Sequence, residues 1–318
     1  MFSCKSKKEL LLTDSKVITD SIYSKYLKEY RKHTVYLPKG FNSTKNYPII
    51  FGTDGGTSLT DKKAELDSLI NYKIIKPIIF VASFSNNKIA DSTSQTTGDG
   101  KKVYLGYRNF EYINDYASTT KDSSLAGRFK NHKSYFAYEL LNHIERKYRQ
   151  NNGKEYRYFY GVSNGAGFGL SLLNSNPELI GTYFCFSTFG GDIQTNIWNE
   201  KTKYPNLYLR YGSEEPFFLK EEAKILISKF SESNSFIEAK EYKGGHNNKF
   251  WKKEFVEIIS RVLKTESSTA YNSGVLQWLL PDFPTENPLL NGMFCYICNG
   301  LVLVQRHWEQ AAKRCATP

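Results

Sequence analysis

Residues 158–169 read YFYGVSNGAGFG, and within them Gly161-Val162-Ser163-Asn164-Gly165 fits G-x-S-x-G. A glycine-rich turn can serve structure alone, but here it joins a strand-like aromatic run to a helix-like run. In that setting the motif presents a nucleophile: the serine sits on a sharp turn that accepts only small neighbours, and its hydroxyl projects beyond the strand end. The helix that follows points its N-terminus at the same place, which favours developing negative charge.

A serine hydroxyl is a weak nucleophile until a base takes its proton. Five histidines are available: His33, His132, His143, His246 and His307. His246 stands in YKGGHNNKFW, a loop after a strand-like segment late in the chain, where two glycines let the backbone present the ring. The third group is a carboxylate that fixes the imidazole tautomer and stabilises the imidazolium. NLYLRYGSEEPFF provides Glu214 and Glu215 just after a strand that ends at Gly212. Glu215 is favoured, with Glu214 the alternative. The chain order is then serine, acid, histidine. Backbone amides must also meet the oxyanion, each contributing roughly 3–4 kcal/mol. Asn164, directly after the serine, supplies one. FGTDGG supplies the other, through Gly55 or Gly56. No G-K-[ST] follows those glycines, which argues against a phosphate loop.

These residues need a scaffold, and the hydrophobic pattern describes one. HTVYLP alternates like a half-buried strand, while YPIIFGT and IIKPIIFVASF are short apolar runs of the kind buried on both faces of a parallel sheet. ELDSLINY between them is helical. KSYFAYELLNHIERKYRQ places Phe136, Leu140, Leu141 and Ile144 on one helical face. Strand and helix then alternate to about residue 264, the signature of an α/β fold with helices on both faces of a mostly parallel sheet. Residues 1–30 read as a tether followed by a helix from Lys16 to Tyr30. Residues 85–127 are polar and aperiodic, and read as a long surface excursion. The main domain spans 31–264.

The chain of 318 residues carries a net charge of +11, with 24% charged and 15% aromatic residues. Its lysines are dispersed among acids with no arginine stripe, so the excess reads as a solvated surface rather than a nucleic-acid footprint. The cysteines (Cys4, Cys185, Cys295, Cys298, Cys315) form no disulfide framework, and the lone CxxC has no partner for a metal site. No cofactor is implied. Phe2-Ser3-Cys4 followed by KSKKE is similar to the end of a bacterial lipoprotein signal. This raises the expectation of a lipid anchor at Cys4 and a cell-envelope or periplasmic location; otherwise the location is cytoplasmic. After Lys264 lysine nearly vanishes and an interrupted apolar run appears, so residues 265–318 read as an atypical tail foreign to the domain.

The segments HTVYLPKGF…YPIIFGTDGG, YGVSNGAG, RYGSEE and KGGHNNKFW resemble the esterase family of α/β hydrolases, which includes enterochelin and feruloyl esterases and S-formylglutathione hydrolase. The likeness covers roughly residues 30 to 264. It implies an α/β-hydrolase fold and cleavage of a small-molecule ester. It also implies Ser163 as nucleophile, His246 as base, Glu215 or Glu214 as acid, and oxyanion donors at Asn164 and near Gly55 or Gly56. Two departures stand out: Ala166 follows Gly165 where many members have a second glycine, and the acid is Glu where Asp is frequent. GYRNFEYI resembles a family segment at the substrate mouth, which makes Arg108 and Tyr112 expected substrate contacts. Trp198 and Trp251 are candidate pocket walls.

Overall fold

The computed structural model describes residues 11–96, 102–150 and 153–266. Cys4, Cys295, Cys298, His307 and the tail from 267 lie outside the described residues. In chain order the strands and helices begin with β1 (Lys16–Ser24), β2 (Glu29–Leu37), β3 (Ile49–Gly52), α1 (Gly55–Asn71) and β4 (Ile79–Ser83). There follow β5 (Ile89–Thr96), β6 (Lys102–Gly106), α2 (Tyr107–Tyr112), α3 (Asn114–Thr119), α4 (Ser123–Ala126) and α5 (Arg128–Ser134). A π-helical turn, Tyr135–Leu140, leads into α6 (Leu141–Tyr148). The remainder is β7 (Arg157–Val162), α7 (Asn164–Ser175), β8 (Thr182–Phe186), β9 (Asn206–Gly212), α8 (Phe217–Glu232), β10 (Ile237–Tyr242) and α9 (Asn248–Val262).

Eight strands form one sheet in the order β1-β2-β4-β3-β7-β8-β9-β10. β2 runs antiparallel to both neighbours, and every later pairing is parallel. This is the α/β-hydrolase arrangement. The apolar runs that read as buried strands are so: β3, β4 and β8 are buried at every position.

Successive residues of a strand face opposite layers, and the aromatic content of the chain fills both. Phe159 meets Phe136 and Tyr183 on one face, while its neighbour Tyr160 meets Phe80, Phe186 and Phe255 on the other. The first face carries α6, α7 and α8; the second carries α1 and α9. The helical stripe Phe136, Leu140, Leu141 and Ile144 is buried on the first.

Two readings of the sequence are corrected. Lys16–Tyr30 is not a leading helix but most of an antiparallel hairpin, paired from Lys16↔Leu37 to Ser24↔Glu29. Its Val17, Ile18, Thr19 and Ile22 are β-branched, and Lys28 takes the left-handed conformation (φ 54°) that closes the turn. Residues 16–24 and 29–30 are therefore part of the sheet. Residues 85–127 are not featureless either: they hold the separate β5–β6 hairpin and the short helices α2 to α4.

Candidate active site

Parallel strands send their C-terminal ends to one edge, and three of those ends converge here. β7 ends in a turn at Ser163, whose φ of 53° and ψ of −130° are disfavoured for a residue with a side chain. Such strain costs about 1–3 kcal/mol and persists only where the surroundings enforce it. The glycines of the motif make the turn possible. A Cβ on Gly161 would lie 2.6 Å from the Gly165 carbonyl oxygen, and one on Gly165 would lie 2.3 Å from Thr53 Oγ1. The turn is held by the Ser163 amide, which donates to the Phe186 carbonyl at 2.9 Å, at the end of β8.

The loops after β9 and β10 are bound together as if the ladder continued. The Ser213 amide donates to the Tyr242 carbonyl at 2.9 Å, and the Glu214 amide to the Gly244 carbonyl at 2.9 Å. Gly212 is needed at this crossing, because a Cβ there would fall 2.2 Å from the Gly244 oxygen. Glu215 is thereby brought under His246. His246 Nδ1 is 3.2 Å from Glu215 Oε1, and His246 Nε2 is 3.0 Å from Ser163 Oγ. In the tautomer that carries its proton on Nδ1, facing the carboxylate, the lone pair of Nε2 faces the serine hydroxyl. Asn247 caps α9 directly after the histidine, its side chain accepting from the Lys249 amide at 2.8 Å. This anchors the loop to a rigid element.

Of the two candidate acids, Glu215 is buried and meets the imidazole, whereas Glu214 is exposed to solvent. Burial pushes the Glu215 carboxyl upward, but the adjacent His246, the Ser187 hydroxyl and the Gly212 backbone outweigh it and hold it below the usual carboxylate range. A supporting chain runs behind it. The Trp251 indole N–H donates to Ser187 Oγ at 2.7 Å, Ser187 lies 3.0 Å from the Tyr242 hydroxyl, and Tyr242 donates to Glu215 Oε1 at 3.2 Å. Trp251 also packs edge-on against the His246 ring, with centroids 4.8 Å apart. Trp251 therefore serves as a wall of the histidine. Ser187 and Tyr242 have no signature in the sequence; their part follows from the register of β8 and β10.

The expected oxyanion donors stand at two adjacent helix starts. Asn164 opens α7, while Gly55 opens α1 with Gly56 second. Amides in a first turn have no acceptor within their helix. The two starts adjoin, since Gly165 packs against Thr53 and Asp54. Gly55 itself has φ +63° with Phe84 against its Cα, so a side chain there is excluded. Asp54 does not offer its amide to the site, because that N–H donates to the Tyr112 hydroxyl at 3.2 Å.

Arg108 is committed elsewhere than expected. Its Nε and one terminal nitrogen hold Asp54 at 2.7 and 2.8 Å, and the other reaches Asn164 Oδ1 at 3.2 Å. Burial works against its charge, and Asp54 more than offsets this. Arg108 thus braces the loop after β3 against α7. Tyr112 is 1% exposed, beneath the Arg108 guanidinium, so it supports this brace rather than touching substrate. Trp198 is partly buried against the core, packing on Tyr204 and Phe230 and donating to the Ile193 carbonyl at 3.2 Å. His132 is buried among Tyr112, Tyr135 and Phe168, and is not the base. Beside the serine, the Phe189 amide donates to the Ser163 carbonyl at 3.3 Å. The Phe189 ring lies tilted against Phe218, with centroids 5.4 Å apart, and Phe217 and Phe218, which follow Glu215 closely, are both exposed.

The family model described as "Putative esterase" matches residues 24–262. A comparison with curated protein sequences finds no match. Among solved structures, a ferulic acid esterase from Anaeromyces mucronatus is similar with a TM-score of 0.58 at 16% identity, over 82% of this chain and 93% of that one. An S-formylglutathione hydrolase from Agrobacterium tumefaciens gives 0.58 at 12% identity, over 80% and 98%. The enterobactin esterase of Shigella flexneri gives 0.56 at 17% identity, over 77% of this chain and 58% of that one.

Proposed function

Since the chain belongs to the esterase family of α/β hydrolases and is a carboxylic ester hydrolase, we propose that it works through a Ser163–His246–Glu215 triad and an acyl-enzyme. In this reading Ser163 Oγ attacks the acyl carbon while His246 Nε2 takes its proton. Glu215 holds the imidazole tautomer and balances the imidazolium. Amides at Asn164 and at Gly55 or Gly56 receive the oxyanion, and His246 returns the proton to the departing alcohol. Water, deprotonated by the same imidazole, then releases the acid. The observation that carries the reading is the unbroken run from serine oxygen to imidazole to buried carboxylate, at 3.0 and 3.2 Å.

The mouth supports a reading of the substrate class. The Arg108 guanidinium is held by Asp54, whereas Phe189, whose amide donates to the Ser163 carbonyl, and Phe218 beside it are exposed aromatic surface. We therefore read the preferred ester as one with an aromatic or apolar group. Feruloyl, benzoyl and acetyl esters compared on the purified protein test this. A kcat/KM for the aryl esters no higher than for acetate removes the substrate reading and leaves the triad standing. Membrane attachment through a lipidated Cys4 is a separate proposal, tested by incorporation of a lipid precursor that Cys4→Ala abolishes.

A further inference from the structure

On elements that carry no member of the triad, three side chains meet where the β1–β2 hairpin passes α6. Asp20 and His33 are directly opposed across the hairpin, so both side chains leave the same face. His143 arrives from α6. Asp20 Oδ2 is 3.7 Å from His33 Nε2 and 3.5 Å from His143 Nε2, and the three ligand atoms all lie within 4.8 Å of one another. We propose that Asp20, His33 and His143 form a binding site for a divalent transition-metal ion of the zinc, cobalt or nickel type.

The donor set is the first argument. Two imidazole nitrogens and one carboxylate oxygen make an N₂O triad, leaving a fourth position for water. With ligands about 2.05 Å from the ion, tetrahedral sites separate their donors by about 3.3 Å. Two of the three edges here are within a few tenths of an ångström of that. The second argument is His33. It is 0% exposed, and neither of its ring nitrogens has a hydrogen-bond partner. Leaving a buried polar atom unpaired costs roughly 1–3 kcal/mol, and a metal bond removes that cost at Nε2. His143 Nε2 is likewise buried and unpartnered. Asp20 and His143 place the cluster near the surface, with side chains 27% and 31% exposed.

One neighbour opposes the ion. Lys147, one helical turn beyond His143, places its ammonium on Asp20 Oδ2. The other oxygen of Asp20 accepts from the Ser21 amide at 2.8 Å. A metal must displace Lys147, whose side chain is 37% exposed and can swing into water. This competition gives the proposal a distinctive consequence. Removing the lysine tightens metal binding, while removing a ligand weakens it. A purely structural ion-pair cluster predicts neither.

The experiment uses the full chain after dialysis against chelator. ZnCl₂ at a hundred times its Kd raises the thermal midpoint by about 5–10 °C. Co²⁺ gives a visible tetrahedral band without a thiolate charge-transfer band, which separates this site from Cys295 and Cys298. Asp20→Asn and His143→Gln each weaken binding at least tenfold and lose the shift, Lys147→Met strengthens binding several-fold, and ester turnover is unchanged in all three. No metal-dependent change in wild type and Lys147→Met, or a shift retained in both Asp20→Asn and His143→Gln, overturns the proposal.

Discussion

Replacing Glu215 by Gln removes one charge and almost no volume, which isolates what the buried acid does for His246. The expected geometry is close to unchanged. Tyr242 donates to Oε1, the oxygen that also faces His246 Nδ1, so the amide oxygen of Gln stays there and the tautomer is retained. What disappears is the attraction between carboxylate and imidazolium as the serine proton is transferred. At about 4 Å between charge centres and an effective dielectric of about 20, that attraction is about 4 kcal/mol. The His246 side chain is 36% exposed, so solvent screening reduces this. About 3 kcal/mol is a reasonable figure, which lowers kcat by about 10²-fold at 1.36 kcal/mol per decade. The assay is p-nitrophenyl acetate hydrolysis with the acylation burst resolved, beside circular dichroism to establish folding. Glu214→Gln is the control and should stay within about twofold of wild type, because Glu214 faces solvent. A folded Glu215→Gln enzyme within threefold of wild type, or a larger loss in Glu214→Gln, refutes the electrostatic argument and the choice of acid together.

Ser163→Ala should abolish both turnover and fluorophosphonate labelling, measured by intact mass; labelling that persists places the nucleophile elsewhere. Tyr242→Phe deletes the hydroxyl that donates to Glu215 and should lower kcat by about tenfold with KM nearly constant, since the side chain is buried away from substrate. Glu222 gives a pH prediction. Burial raises its pKa to about 7, above its value of about 4.5 in the unfolded chain. Between these values the folded state binds the extra proton, so stability falls as pH rises from about 5 to 8, by about 2 kcal/mol. Urea midpoints for wild type should decline over that window more steeply than for Glu222→Gln, and parallel slopes would discard the assignment.

The core of the fold was legible because its strands are unbroken apolar runs, and nothing but a sheet covered on both faces suits IIFG, IFVAS and TYFCF. The serine, the histidine and the acid were legible because glycines flank or precede each of them where the backbone must turn sharply. HTVYLP reads as the strand it is, but residues 16–30 read as a leading helix, since the exposed face of that first strand carries charges that mimic a helical surface. Without its register, Asp20 and His33 could not be placed opposite each other. Arg108 and Tyr112 both bond to Asp54, a partner some fifty residues away that only tertiary packing supplies, so their contacts could not be read from the sequence. Trp198 was drawn to the pocket by its type alone, and in the fold Tyr204 and Phe230 claim it.

The backbone at Ser163 holds a conformation that its own sequence does not prefer, enforced by β8 on one side and by Thr53 on the other. Turnover is therefore a gauge of how tightly the sheet's central strands are seated. Loosening at either flank lets the serine relax to an ordinary conformation and withdraw from the imidazole, long before secondary structure is lost. A colony screen for ester cleavage would thus double as a screen for tertiary order, which makes this chain a convenient host for core-repacking libraries.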